Sequence, residues 1–225
     1  MRAFHAPPAA NARPRRRAGF TLLETVVVVG VLGLVLGSVG AFQLRADEAA
    51  RSQLRRAELE ARARRALERI AEELMGVAQS RLDPDPNDDV AADSIAYQRP
   101  LDVSPLGVVS WSARSRLELE LEPGEDADGR DDDGDELVDE RRLVLVRDEG
   151  APSERRIVLC NGVAALGAGE WDNAIDDDGD GAEDEAGFGV RRVGDVLFVH
   201  LRLLDARAGA EPSSVELATS VVLRN

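Results

Sequence analysis

The chain has 225 residues, of which 44% are hydrophobic and 32% are charged, with 28 Lys+Arg against 43 Asp+Glu. This composition excludes global disorder, and the length suits one globular domain with an appendage. The formal net charge of −15 disfavours binding to nucleic acid, and the low aromatic content of 4% disfavours a base-stacking surface. The single cysteine excludes an internal disulfide framework and a multi-cysteine zinc site.

The N-terminal segment predicts a membrane span. Residues 1–18 contain five arginines and no acidic residue, and an apolar run follows. The 25 residues from Phe20 to Leu44 would form a helix about 37 Å long, enough to cross a hydrocarbon core of about 30 Å with some tilt. A secretory signal peptide is disfavoured because no small-residue cleavage site follows the run. Since the arginines precede the span, the positive-inside rule predicts that residues 1–19 are cytoplasmic and that the chain after the span lies on the opposite side of the membrane.

One acidic residue, Glu24, interrupts the apolar run about one turn from its start. A charge within a membrane helix costs about 2.5–3.5 kcal/mol on insertion scales and normally has a partner. No basic residue lies between Phe20 and Leu44. Two interpretations stay open: Glu24 pairs with a cation from outside the span, or its side chain reaches the nearby interface.

An arginine-rich leader, Gly19, Phe20, Glu24 and an apolar helix follow one another in the order of a prepilin processing signal. The chain therefore resembles prepilin-type proteins, which include type IV pilins and the pseudopilins of type II secretion. The resemblance implies that residues 1–19 are a leader peptide, that a membrane prepilin peptidase cleaves after Gly19, and that Phe20 is N-methylated. It also implies that Glu24 pairs with the N-terminal amine of a neighbouring subunit during assembly, which would offset the buried charge.

Beyond the span, charged and apolar residues alternate at helical spacing. Residues 45–82 are therefore predicted to form an amphipathic helix that continues residues 20–44 into a globular head. The helix is expected to end near Ser80, ahead of Pro84. Its predicted apolar stripe consists of Leu59, Ala63, Leu67, Ile70, Leu74 and Val77.

Residues 83–225 predict an antiparallel β head. The clearest strand alternates leucine and glutamate over 116–122. The other predicted strands are 143–146, 157–160, 196–204 and 215–223. The last two are joined by a Gly/Pro/Ser turn, which indicates an antiparallel hairpin. We therefore predict an α+β fold in which the long N-terminal helix packs on an antiparallel β-sheet, and the pilin resemblance implies the same arrangement.

Three short segments outside the span carry a finer resemblance. Residues 64–74, 157–163 and 222–225 are similar to segments of J-type minor pseudopilins of type II secretion and of W-type minor type IV pilins. This resemblance implies a minor subunit that assembles with other minor pseudopilins or pilins.

Most of the negative charge lies in two acidic loops. Residues 124–140 contain ten acidic residues and one arginine, and residues 170–187 contain nine acidic residues and no basic residue. The segments 131–140 and 176–185 are identical at seven of ten positions. The head thus contains an acidic motif repeated in register.

The repeated motif predicts structural Ca²⁺ sites. In the second loop the ligands would be Asp176, Asp178, Asp180 and Asp184, with Gly181 at the sharp turn, as in a calcium loop. In the first loop they would be Asp131, Asp133, Asp135 and Asp139. Neither loop is an EF-hand proper, because each lacks the glutamate at position twelve. The alternative is that both segments are solvated acidic loops without a metal.

The sequence contains no motif of an active site: no GxSxG, no Walker loop and no histidine–acid metal pair is present. We therefore expect a non-enzymatic minor pseudopilin or pilin, a single-pass protein of the inner membrane with a periplasmic head. After assembly it would stand in the tip of a pseudopilus or of an extracellular pilus, and nucleic acid is not an expected partner. The alternatives are a surface-pilus or competence component, a membrane-tethered calcium-binding or adhesive module that does not polymerise, and a tethered enzyme.

Overall fold

A computed structural model describes residues 19, 21–84, 93–171, 173–177, 179, 183–206 and 212–224. Over these residues the chain forms one long α-helix, one short 3-10 helix and ten strands. The residues cluster into two compact units, 1–50 and 51–225. The predicted α+β arrangement, a long N-terminal helix packed on an antiparallel sheet, is confirmed.

The α-helix, α1, spans Leu22–Leu74. Within its first part, an 18-residue window has a mean hydropathy of 2.3, so by length and composition α1 can cross a membrane. The large apolar side chains from Leu22 to Leu44 are all exposed in the isolated chain. The described residues of this unit therefore do not cover its apolar surface, as expected for a helix that lies in lipid or against other helices.

The second part of α1, within the unit 51–225, buries one face. All six residues of the predicted stripe are buried, and they join strand residues such as Leu117 and Leu201 in one hydrophobic cluster. The five stripe residues that lie on α1, from Leu59 to Leu74, thus identify its packed face correctly, whereas Val77 lies beyond the end of the helix. Each fully buried aliphatic side chain contributes about 1.5–3 kcal/mol relative to an exposed one, which accounts for the docking of the helix.

The predicted end of the helix near Ser80 is wrong. Helix α1 ends at Leu74, and Gly76 follows with a φ of +86°. A glycine in this left-handed conformation is a common helix terminator because it lacks a Cβ atom. Residues 79–81 then form the 3-10 helix, so the segment 45–82 is not one continuous helix.

Ten strands follow. They are β1 (Leu82–Asp83), β2 (Ile95–Tyr97), β3 (Pro100–Val103), β4 (Val109–Trp111), β5 (Ser115–Leu121), β6 (Arg141–Arg147), β7 (Arg155–Val163), β8 (Phe188–Val193), β9 (Val196–Asp205) and β10 (Ser213–Val222). All five predicted strands are present, whereas β1 to β4 and β8 were not predicted. The order in the main sheet is β1-β2-β5-β6-β7-β9-β10, with β8 also paired to β9, and β3 and β4 form a separate two-stranded sheet.

The pairing of these strands is antiparallel throughout. The predicted hairpin of β9 and β10 is confirmed, with Val196 opposite Val222 and Asp205 opposite Ser213. Strand β8 and the end of β7 share the other edge of β9. The first acidic loop therefore joins the paired strands β5 and β6, and the second joins β7 to β8.

A buried carboxylate, that of Glu73, fastens α1 to the sheet. The side chain of Glu73 is 2% exposed, and Arg69 contacts its carboxylate at 3.0 Å. The Tyr97 hydroxyl donates a hydrogen bond to it at 3.2 Å, and Arg99 and Arg147 complete the cluster as ion pairs. Burial raises the pKa of Tyr97, so this hydroxyl remains a donor. The buried charge is tolerated here because both carboxylate oxygens of Glu73 have hydrogen-bond or ion-pair partners.

Replacement of Glu73 tests this fastening. We expect Glu73→Ala to lower the free energy of unfolding of the head by about 2–3 kcal/mol, because it leaves a buried tyrosine hydroxyl and three arginines without their shared acceptor. The matched control is Glu72→Ala: the Glu72 side chain is 65% exposed and, among the described residues, its one ion pair is with Arg69, at 3.0 Å. We expect that control to change the free energy by less than about 0.5 kcal/mol. Urea unfolding of the full chain in detergent, followed by tryptophan fluorescence, distinguishes the two; equal losses would contradict the assignment.

Candidate functional site

The N-terminal candidates lie at the start of α1. Gly19 is exposed, and Phe20 lies outside the described residues. The backbone N–H of Glu24 donates to the side-chain oxygen of Thr21 at 3.2 Å. Thr21 therefore caps the helix that begins one residue later. The capping role of Thr21 was not predicted, although Thr-x-x-Glu before an apolar run is a helix-start signal.

Glu24 lies in the first turn of α1 and is exposed. A carboxylate in this position is stabilised by the positive end of the helix dipole, by about 0.3–1 kcal/mol in water. Among the described residues Glu24 forms no ion pair. Both interpretations of this residue, pairing with a cation from another chain and access to the interface, therefore stay predictions.

The first acidic loop brings three of its four predicted ligands together. Carboxylate oxygens of Asp131, Asp133 and Asp135 lie within 4.8 Å of one another. The fourth, Asp139, is in neither carboxylate cluster of this loop. Its carboxylate instead accepts the backbone N–H groups of Asp128, at 3.1 Å, and of Gly129, at 2.9 Å.

A second cluster in the same loop was not predicted. Oxygens of Glu125, Asp133 and Glu140 also lie within 4.8 Å of one another. Glu125 and Glu140 are buried, whereas Asp133 is exposed. The sequence does contain a signal for Glu125, because the acidic repeat begins earlier than residues 131 and 176. Glu125 and Glu170 precede these two positions at equal distances.

The two glutamates of this cluster differ in their surroundings. Glu125 accepts backbone N–H groups from Asp132 and Asp133, each at 3.0 Å. Glu140 accepts no hydrogen bond on either oxygen among the described residues. Burial, together with the neighbouring carboxylates of Asp135, Glu125 and Asp133, raises the pKa of Glu140 to about 7.

The second acidic loop has the same backbone hydrogen bonds, 45 residues further on. Gly179 donates to Asp176 at 2.6 Å, as Gly134 donates to Asp131 at 2.6 Å. The carboxylate of Asp184 accepts the N–H groups of residues 173 and 174, just as that of Asp139 accepts those of residues 128 and 129 in the first loop. The other two predicted ligands, Asp178 and Asp180, lie outside the described residues. The repeat seen in the sequence is thus a repeat of conformation over the described part of both loops.

Both loops close in the same way. The backbone N–H of Glu122 donates to the carbonyl of Glu140 at 3.2 Å, and that of Gly167 donates to the carbonyl of Glu185 at 2.7 Å. These bonds bring the two ends of each acidic segment together. The last glutamate of each repeat therefore lies at the base of its loop.

With this geometry established, comparison with known proteins identifies one segment. Residues 14–40 match the family model of the prokaryotic N-terminal methylation motif. The match includes Gly19, Phe20 and Glu24, and it supports a type IV pilin-like or pseudopilin-like protein of the prepilin type. Together with the apolar part of α1, it fits a single-pass protein of the inner membrane. No curated protein and no solved structure matches the chain.

Cys160, the single cysteine of the chain, lies on β7, is partly buried and packs against the core. Burial raises the pKa of Cys160 to about 12. Because the thiolate is the reactive form, this environment suits a packed residue rather than a nucleophile.

Alkylation of Cys160 checks this description. At pH 8 we expect iodoacetamide to react at least tenfold more slowly with the native chain than with the urea-unfolded chain, because burial raises the pKa of the native thiol and so lowers its thiolate fraction. Cys160 is the single cysteine of the chain, so intact mass against time measures its reaction directly. Comparable native and unfolded rates would show an accessible, reactive thiol.

Proposed function

We propose that the protein is a minor pseudopilin or minor pilin. It is cleaved after Gly19 by a prepilin peptidase, methylated on Phe20, and assembled through α1 into the tip of a type II secretion pseudopilus or a type IV pilus. The observation that carries this proposal is the methylation-motif match over residues 14–40, in register with a helix that begins at Leu22. Its role is structural rather than catalytic.

The geometry at the start of α1 suits this assembly step. Cleavage after Gly19 would create an amine at Phe20, two residues before the helix begins. Glu24 stands exposed in the first turn, on a helix end that Thr21 caps without using the Glu24 carboxylate. An amine from a neighbouring subunit could therefore pair with Glu24, and the cost of an isolated carboxylate in hydrocarbon would be relieved.

The exposed apolar part of α1 supports the same proposal. Between Leu22 and Leu44 no described residue of its own unit covers the apolar side chains of the helix, so it requires lipid before assembly and other helices after it. The arginines of residues 1–18 favour a cytoplasmic leader and a periplasmic head. Residues 64–74 are similar both to J-type pseudopilins and to W-type minor pilins; we place secretion first and a pilus or competence role second.

Processing is tested by the intact mass of the protein extracted from membranes of its native host. We expect the loss of residues 1–19 and the gain of one methyl group. Gly19→Val should remain full-length, because a branched side chain replaces the small residue at the predicted cleavage site. The control Gly30→Val, within α1, should be processed normally. An uncut wild-type chain would favour the alternative of a membrane-tethered module that does not polymerise.

Assembly is tested by Glu24→Leu. We expect normal membrane insertion and cleavage, but at least a tenfold loss of co-purification with other prepilin-type proteins of the host, equivalent to about 1.4 kcal/mol or more. The matched control is Thr25→Val, which changes the neighbouring exposed polar residue and keeps the carboxylate. If Glu24→Leu co-purifies like the wild type, Glu24 does not pair with a neighbouring subunit.

A further inference from the structure

The base of the first acidic loop contains a largely buried acidic cluster whose charge no described residue balances by an ion pair. Glu125 is 6% exposed and Glu140 is 1% exposed, and both direct oxygens toward those of Asp133. Among the described residues, none of the three forms an ion pair. Three carboxylates within 4.8 Å repel one another strongly when two of them are shielded from water.

Glu140 distinguishes this cluster from an ordinary acidic surface. Both of its oxygens are buried, and neither has a hydrogen-bond partner among the described residues. An unpartnered buried polar group is rare, and a buried carboxylate without a donor or counter-ion is costly. Its neighbour Glu125, by contrast, accepts three backbone N–H groups, the third from Asp139 at 3.3 Å. Glu140 therefore presents two buried carboxylate oxygens that no described group of the chain satisfies.

The chemistry of the cluster selects the class of partner. All the donors are carboxylate oxygens, which are hard ligands and suit Ca²⁺ or Mg²⁺ rather than a soft metal. Oxygens up to 4.8 Å apart can lie on opposite sides of one Ca²⁺ ion, since Ca²⁺–O distances are about 2.3–2.6 Å. Ca²⁺ also accepts irregular coordination completed by water, whereas Mg²⁺ requires a near-ideal octahedron.

We propose that Glu125, Asp133 and Glu140 bind a Ca²⁺ ion at the base of the first acidic loop. The ion neutralises the buried carboxylates and holds the loop closed at the start of β6. This set differs from the linear one predicted from the sequence: it shares Asp133, and it leaves Asp139 to the backbone. The site is independent of the proposed role in a fibre, because it uses no residue of the N-terminal unit.

Calcium titration of the full chain in detergent at pH 8, after treatment with a chelator, tests the site by calorimetry. Loops of extracellular modules bind Ca²⁺ with dissociation constants of about 10⁻⁴–10⁻³ M, so the titration extends to several millimolar. We expect Glu140→Gln to weaken binding at one site at least tenfold. The matched control Asp126→Asn removes one exposed charge of the same loop and should change the affinity less than threefold. Absence of Ca²⁺ binding, or equal binding by wild type and Glu140→Gln, would overturn the proposal.

Thermal unfolding provides a readout that a merely structural role for Glu140 would not give. In chelator, Glu140→Gln should raise the Tm above that of the wild type, because it removes a buried charge while keeping the shape of the side chain. In excess Ca²⁺ the order should reverse, because the wild type alone gains the stabilisation of that site. A variant that is less stable than the wild type in both conditions by the same amount would overturn the proposal. Parallel titration of Glu185→Gln, in the second loop, should leave this site intact.

Discussion

The burial of one face of α1 on the β-sheet is the interaction on which the head depends. Leu59, Ile70 and Leu74 have no exposed surface, and they share one cluster with residues of β5 and β9. Such a face forces the opposite, charged face into water, so the orientation of the helix about its axis is determined by its sequence period. Glu73 adds direction to this packing, because its carboxylate must meet Arg147 of β6, the Tyr97 hydroxyl of β2 and Arg99, which follows β2.

Periodicity predicted the parts of the fold in which one face is buried and the other is not. The stripe on α1 and strand β10 have that property, and their existence and type were predicted correctly. Strand β5 was predicted from its alternation of leucine and glutamate, although only Leu117 in it is fully buried. Strand β2 is three residues long and buried at every position, so it carries no alternation. Strand β8 is also buried at its first three positions, so it too lacks the alternation from which a strand is predicted. The end of α1 was misplaced because the prolines dominated the prediction, whereas the backbone turned earlier, at Gly76.

The candidate sites likewise differ in how far the sequence alone predicts them. The N-terminal motif is local, so its order and spacing could be recognised directly, and the capping role of Thr21 was equally available in the sequence. The cluster of Glu125, Asp133 and Glu140 is not local in this sense. A template with ligands at alternate positions cannot find it, because its members meet only when the hydrogen bond from Glu122 to Glu140 closes the loop. This hydrogen bond joins the residue after β5 to the residue before β6, which lie far apart in the sequence.

The two loops show how a small head can carry so many acidic residues. In each loop, aspartate carboxylates accept backbone N–H groups of the same loop, as Asp131 and Asp176 do, so fixed dipoles offset part of the negative charge. The same arrangement occurs twice, between different pairs of strands, which means that the acidic motif itself rather than its place in the sheet determines the loop conformation. Backbone donors are limited in number, however, and in the first loop Asp131, Glu125 and Asp139 use them. Among the described residues no group donates to the Glu140 carboxylate, which is why we propose a cation as its partner.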